Sequence, residues 1–554
     1  MEKLEKILNK YWVFLILVFS IPAVWALFVP GFYGASDEVH IAWLNQMDKV
    51  LKLGQIPARF VPDLSFGFGY PLFNFVFPLP FYIAEIFHLF FGFSFVDSIK
   101  ALFFITIPLS GIFMYLLLRE FVKANLSFLG ALLYIYTPYR AVDLYVRGAI
   151  GEVLSFIFLP LVILSITKLN QQRNFKWVGI GALALASLVL SHNITAYMFI
   201  PFVLLYLLLQ FLKESYKGVF FRKSVLMIFL SLLMSAFFWL PAITESNLVK
   251  YDTIFKFYDH FPAIRQLLTP YWGYGASVPG EGDGMSFFLG YSSLLVLIFA
   301  SGLLFLKWKG ISKDKKVLFI WVCSGIFLAI FFTNHRSTFV WNSLPLMPYF
   351  QFPWRFLILT TFFIPLLVII FDKSKFEKII LIILLAFVVY PTMSYFKPEH
   401  FLGRLDDYYL NKYIPYPKVS MEYLQHQEEY LRLPKTSKQR PDMIYPIIFS
   451  LRNPIAPVIK INDLHFIVSV YVNEETLINF NKYYFPGWLA KLDGKNINIL
   501  AGSPFGQISV LVPKGVHKLE VFFAETPYKL ALDFASLLGF LVSLCLSLKY
   551  FRKI

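Results

Sequence analysis

Long apolar runs recur along this chain, separated by short polar links. The first covers residues 11–29. Later runs at 98–118, 126–138, 150–167, 177–191, 194–212, 224–241, 286–306, 317–333, 353–371, 379–395 and 530–548 are each long enough to cross a bilayer, or nearly so. The run 126–138 is short, which leaves the count open by one or two. Charge in the links supplies a test. Arg119 and Lys123; Lys168, Arg173 and Lys176; Lys213, Lys217, Arg222 and Lys223; Lys307 to Lys316; and Lys373, Lys375 and Lys378 fall in every second link, and Lys549, Arg552 and Lys553 in the tail. Orientation by cytoplasmic Lys and Arg predicts this alternation. About twelve spans with both termini inside follow. Lys3, Lys6 and Lys10 precede the first run, which reads as an anchor, although Val24-Trp25-Ala26 loosely fits a processing site. The apolar stretch 71–95 breaks the alternation and contains Pro71, Pro78 and Pro80, so it reads as a juxtamembrane or re-entrant segment.

Three links are long: 30–97, 242–285 and 396–529. The last begins polar and tyrosine-rich, then alternates as strands do over His465–Val472, Trp488–Leu492, Gln507–Val512 and His517–Phe523. Asp493-Gly494 and Pro513-Lys-Gly515 read as hairpin turns between them. The expected fold is therefore a polytopic α-helical membrane protein. Residues 1–395 form its transmembrane region, including the 30–97 loop. Residues 396–529 form an extracytoplasmic domain, β-rich from about 446 and resembling a small β-sandwich. Residues 530–554 supply a final span and a basic cytoplasmic tail.

Composition agrees. Of 554 residues, 58% are hydrophobic and 15% charged, against about 25% charged in soluble domains. The net charge of 50 − 34 = +16 sits in the links, so it marks orientation rather than nucleic-acid binding. Only Cys323 and Cys545 occur, both inside apolar runs, which excludes a disulfide framework and a thiolate metal cluster.

Ionisable groups near span ends are costly unless they line a polar cavity. Four clusters stand out. Asp37-Glu38-Val39-His40 follows the first run; two carboxylates and an imidazole would suit a general base, metal ligation or both, and a solvated, helix-capping loop fits equally. Arg140, Asp143 and Arg147, with Glu152 beyond, fall on one face if helical. The two guanidiniums would clamp a phosphate, or Arg and Asp would simply pair. His192, between Ser191 and Asn193, reads first as a hydrogen-bonded packing residue. Arg355, in Gln351-Phe352-Pro353-Trp354-Arg355-Phe356, stands in the first turn of a helix that Pro353 starts, where its charge opposes the dipole and invites an anionic partner. No GxxxxGK, HExxH or GxSxG pattern occurs, so an ATP-driven pump is unsupported.

These residues carry a resemblance. One span followed by a loop with Asp37-Glu38 and a Pro-rich segment resembles the GT-C superfamily of membrane glycosyltransferases. The Asp-Glu pair is similar to that of protein O-mannosyltransferases and aminoarabinose transferases. Gly54-Gln-Ile-Pro57-Ala-Arg59-Phe-Val-Pro62, Gly67-Phe-Gly69-Tyr70-Pro71, Pro78-Leu-Pro80, Thr137-Pro-Tyr-Arg140, Asp143-Leu-Tyr-Val-Arg147 and Glu152 resemble the membrane family labelled 6-pyruvoyl-tetrahydropterin synthase-related. Ser191-His192-Asn193 and Pro353-Trp354-Arg355 fit it too. No zinc-binding histidine triad of a pterin synthase is visible. Tyr484-Phe-Pro486-Gly487-Trp488 and Asp493-Gly494-Lys495 resemble the end of YfhO-type membrane proteins.

The resemblance implies transfer of a sugar from a polyprenyl-phosphate donor to an extracytoplasmic acceptor, in the cytoplasmic membrane of a bacterium or archaeon. Asp37 would be the base. Glu38 would support it, or join Asp37 in holding a divalent cation such as Mg2+ or Mn2+. Arg140, Arg147 or Arg355 would hold the lipid phosphate, with His40, Arg59, Tyr70, Asp143, Glu152 and His192 among the substrate-binding residues. An inverting displacement suits a single base opposite the leaving group. The competing readings are a transporter of lipid-linked glycans, which would place charges near the bilayer midplane, and a non-catalytic envelope scaffold acting through the β-rich domain.

Overall fold

The computed structural model describes residues 2–250, 256–372, 374, 376–426, 433–449 and 458–548. Some helices begin where a short polar side chain takes up a free backbone N–H group. Ser94 accepts from Asp97 N at 3.0 Å and Asn174 from Trp177 N at 3.3 Å. Some end where the chain turns left-handed, as at Gly92, φ 68°, closing Leu79–Phe91.

Among the described residues, nine helices are long and apolar enough to cross a membrane, and a tenth is gained if one bent pair is a single span. Every one of the twelve apolar runs is helical, but three depart from a straight span. Ala124–Ile135 has 12 residues and Phe175–Ser191 has 17. At 1.5 Å per residue these reach about 18 Å and 26 Å, short of a hydrocarbon core of about 30 Å. The run 224–241 belongs to Lys217–Met234 and Ala236–Thr244, which meet at 67°. The segment 71–95 forms the 13-residue helix Leu79–Phe91, too short to span. Pro353–Phe371 is buried along its whole length. A helix that is apolar all round has no solvent face to keep, and this one stands at the centre of the bundle.

Nine strands follow. β1 (Ile448–Phe449), β4 (Thr476–Tyr483), β8 (Gln507–Val512) and β7 (Leu500–Gly502) make one antiparallel sheet in the order β1-β4-β8-β7. β2 (Val458–Asn462), β3 (His465–Val472), β9 (Gly515–Phe523), β5 (Trp488–Leu492) and β6 (Lys495–Ile497) make the other, ordered β2-β3-β9-β5-β6. Alternate residues Phe466, Val468 and Val470 of β3 and Ile508, Val510 and Val512 of β8 enter one shared apolar cluster. Asp493 and Gly494, both at positive φ, form the turn between paired strands β5 and β6. Pro513-Lys514 is not a hairpin turn: it carries the chain from β8 in one sheet to β9 in the other.

Residues 59–77 join the two regions. Phe60 is buried in the strand cluster. Tyr483 N donates to Phe68 O at 2.9 Å, and Lys482 Nζ donates to Pro62 O at 3.1 Å and to Gly67 O. Arg59, 1% exposed, closes the junction. Its Nε meets Glu525 Oε1 at 3.0 Å, Nη2 meets Asp533 Oδ1 at 2.6 Å, and Nη1 donates to Phe237 O at 2.8 Å. One side chain thus ties the end of the strands, the last helix and the bent helix together. Removing it strands two carboxylates. Arg59→Ala is expected to cost roughly 3–5 kcal/mol, read as a lower melting temperature of purified protein in detergent; an unchanged melting temperature would contradict the tie.

Candidate functional site

The site is assembled at an irregularity. After Ala124–Ile135 the chain restarts at Pro138, and Val142–Arg147 winds as a single π-turn before Gly148, φ 67°, ends it. Ile150–Gln172 then begins. A π-turn is costly and recurs at functional positions. Its wider winding also separates side chains that an α-helix would align. Arg140 and Arg147 do not share a face. Arg140 turns into the bundle, its guanidinium 4.6 Å from the Phe156 ring and 5.1 Å from Tyr134, while Arg147 faces Glu152.

Glu152 is the hub. Its Oε1 accepts from Arg147 Nη2 at 2.9 Å and lies 3.1 Å from Arg355 Nε. Its Oε2 is 2.9 Å from Arg147 Nη1 and accepts from Tyr139 OH at 3.0 Å. It stands in the first turn of its helix, where the dipole favours an anion. Arg147 Nη1 also meets Asp143 Oδ1 at 2.5 Å, and its guanidinium lies 4.8 Å from the Trp354 ring. Arg355 Nη1 donates to Phe350 O at 3.1 Å and Gln351 Oε1 at 2.7 Å.

Asp37 is held against the π-turn by its backbone. Its N–H donates to Arg147 O at 2.7 Å, and Ser36 N donates to Val146 O at 3.2 Å. The carboxylate stays partly open, 3.9 Å from Arg147 Nη2. Beside it lies a cavity of about 620 Å³. Of the residues marked by sequence, Asp37, His40, Tyr70, Arg147, Glu152, His192 and Arg355 line it. His40 is buried there, packed edge-on to Trp43, Phe77 and Phe81. Burial pushes its imidazole below the usual histidine range, partly opposed by Asp37. His192 caps Asn193–Lys213, its Nδ1 2.8 Å from Thr195 Oγ1, and packs its ring against Phe77. Structural cap and cavity wall are thus the same residue.

Four marked residues lie elsewhere. Glu38 turns away from Asp37, with Oε1 2.6 Å from Lys412 Nζ and accepting from Tyr413 OH at 3.1 Å. Adjacent residues entering a helix point in different directions, so neighbourhood in sequence did not make a pair in space. Arg59 serves the junction described above, and Arg140 is enclosed. Asp143 stands behind Arg147 rather than in the cavity. Asp37 and Glu38 therefore do not fit as a chelating pair, and among the described residues no three His, Cys, Asp or Glu side chains converge as a ligand set. Asn193 and Gln351, which belong to the marked motifs but were given no role there, also line the cavity, and so do Phe77, Tyr197, Trp239 and Tyr349, which sequence reading missed. Those aromatic residues sit in apolar surroundings and carried no signal.

Fold and site together define a helical membrane protein with a charged cavity at the ends of its helices. Residues 73–398, more than half of the chain, match the family described as 6-pyruvoyl-tetrahydropterin synthase related domain; membrane protein. The chain belongs to that family. It is 28% identical over 207 residues to a protein of Lactococcus lactis subsp. cremoris (strain MG1363) described as uncharacterized, a match covering 36% of this chain and 34% of that one. Among solved structures it is similar to the arabinofuranosyltransferase AftD from Mycobacteria, at 13% identity and a TM-score of 0.48, over 70% of this chain and 27% of that one. A second AftD structure, of a mutant, gives 0.47 over the same shares. The chain thus spans about a third of the curated relative and about a quarter of AftD.

The two neighbouring carboxylates should separate experimentally. Glu38→Gln breaks a buried pair and is expected to cost about 3 kcal/mol. Asp37→Asn loosens only a long, partly open contact, and should stay within about 1 kcal/mol of the parent. Thermal unfolding of both purified variants checks this; equal losses would contradict the assignment of one to scaffold and the other to cavity.

Proposed function

We propose that this protein is a membrane glycosyltransferase that moves a sugar from a polyprenyl-phosphate donor to an acceptor outside the cytoplasmic membrane. The observation that carries this reading is the sharing of one cavity by a partly open carboxylate, Asp37, and two buried guanidiniums, Arg147 and Arg355. Much of the remaining wall is apolar, including Phe75, Phe238, Ile243 and Leu346. Ile243 and Leu346 are more than half exposed on the outside of the protein, so the cavity reaches an apolar surface suited to a prenyl chain.

The chemistry follows from these positions. Asp37 takes the proton of an acceptor hydroxyl. The hydroxyl oxygen forms a bond to the anomeric carbon as that carbon's bond to the phosphate oxygen breaks, and the electron pair leaves with the lipid phosphate. A departing phosphate gains charge in the transition state, so preorganised N–H donors aimed at it lower the barrier. Arg147 and Arg355 supply those donors in a water-poor setting. A hydroxyl activated by Asp37 on one face of the sugar and a phosphate leaving toward Arg355 from the other would give inversion. Glu38 has no part in this step and belongs to the scaffold. Glu152 and Arg355 stand in the first turns of candidate spans, not midway along them, which favours chemistry at a membrane surface over carriage through the midplane.

Transfer from a polyprenyl-phosphoryl sugar, measured with folded protein in nanodiscs, tests the reading. Asp37→Asn should lower the rate roughly 10²–10⁴-fold, the usual contribution of a general base. Unimpaired transfer in that variant would remove Asp37 from the mechanism.

A further inference from the structure

At the cavity rim, residues 350–352 form a γ-turn of the positive-φ kind. Gln351 lies at φ 67°, ψ −53°, and Phe352 N donates to Phe350 O at 2.7 Å. This turn is rare and strained for a residue with a side chain, and glycine would enter it more readily. Strain of this sort persists where surrounding contacts fix it, and it gathers at ligand sites.

The turn delivers two oxygens to one nitrogen. Phe350 O and Gln351 Oε1 both accept from Arg355 Nη1, at 3.1 Å and 2.7 Å. Arg355 Nε lies 3.1 Å from Glu152 Oε1, an ion pair without hydrogen-bond geometry. A guanidinium is planar, with its N–H groups in a rigid fork. Two acceptors on Nη1 therefore set the plane in which Nη2 lies. Nη2 makes no hydrogen bond among the described residues, and Arg355 lines the cavity.

We infer that Gln351 is a positioning residue for anion capture. Its strained turn occupies Nη1 of Arg355 and so holds Nη2 ready for a phosphoryl oxygen of the donor lipid. This rests on the glycosyltransferase reading and adds to it. Without the amide, the guanidinium would be free to rotate about its stem and meet Glu152 side-on with two nitrogens, the geometry that carboxylates favour. Nη2 would then be spent on the scaffold. The backbone conformation and the side-chain contact thus serve one end, and a relaxed turn would separate them.

The test uses farnesyl phosphate, a short prenyl phosphate, and farnesol, its neutral counterpart, binding to full-length protein in detergent. The parent should prefer the phosphate, and Arg355→Ala should abolish the preference. Gln351→Gly keeps the turn, relieves its backbone and removes the amide. It should lose farnesyl phosphate affinity 5–10-fold, keep its farnesol affinity, and melt no lower than the parent. Full retention of the phosphate preference in Gln351→Gly would overturn the positioning role while leaving the site reading intact. Equal loss of both ligands with early melting would make Gln351 a folding element and would also overturn it. No preference in the parent would remove the donor site itself, and this inference with it.

Discussion

Two guanidiniums buried within reach of each other can share the interior of a membrane protein only if a carboxylate lies between them. Glu152 is that carboxylate. It touches Arg147 through both oxygens and Arg355 through one, and it accepts a hydrogen bond from Tyr139 OH. An isolated charge in such a setting costs several kcal/mol. Once paired, the arginines can stand at a cavity wall with part of each fork unspent. Much of the nearby architecture serves this arrangement: the π-turn that brings Arg147 to Glu152, the ring of Trp354 beneath Arg147, and the backbone bonds that set Asp37 against the same turn.

A second ionic group does a different job. Arg59, Glu525 and Asp533, with Lys529 and Glu245 beside them at 3.0 Å, bind the strand-rich region to the helices. The segment from Arg59 to Phe77 passes from that junction into the cavity wall, through Tyr70, Phe75 and Phe77. The placement of the strands and the shape of the cavity are therefore mechanically linked. The two networks share no residue, so scaffold and chemistry can be probed separately.

Much of this was legible in the sequence, because lipid imposes a coarse and reliable pattern. All twelve apolar runs are helical, and the strands predicted by alternation at His465–Val472 and Gln507–Val512 have those bounds. Helix length was not legible at Phe175–Ser191, nor the bend after Met234, since apolar composition continues through both. The site was legible as a set of residues rather than as contacts. Arg147, Glu152, His192 and Arg355 converge from separate elements. Glu38 and Arg59 looked equally chemical, but their partners, Lys412 and Asp533, lie hundreds of residues away and carried no local signal. Gln351 stood in a marked motif, but its role was not legible, because it resides in a backbone angle that no side-chain pattern encodes.

The central claim is spatial: a phosphate belongs in the cavity beside Arg355, with Asp37 facing the space that the sugar would fill. A cryo-electron microscopy map of the protein with a bound polyprenyl phosphate addresses this directly. The account predicts phosphate density within hydrogen-bond distance of Arg355, the prenyl chain leaving past Ile243 and Leu346, and Asp37 facing the space between. Phosphate density at another surface, or Asp37 turned away from the occupied cavity, would contradict it.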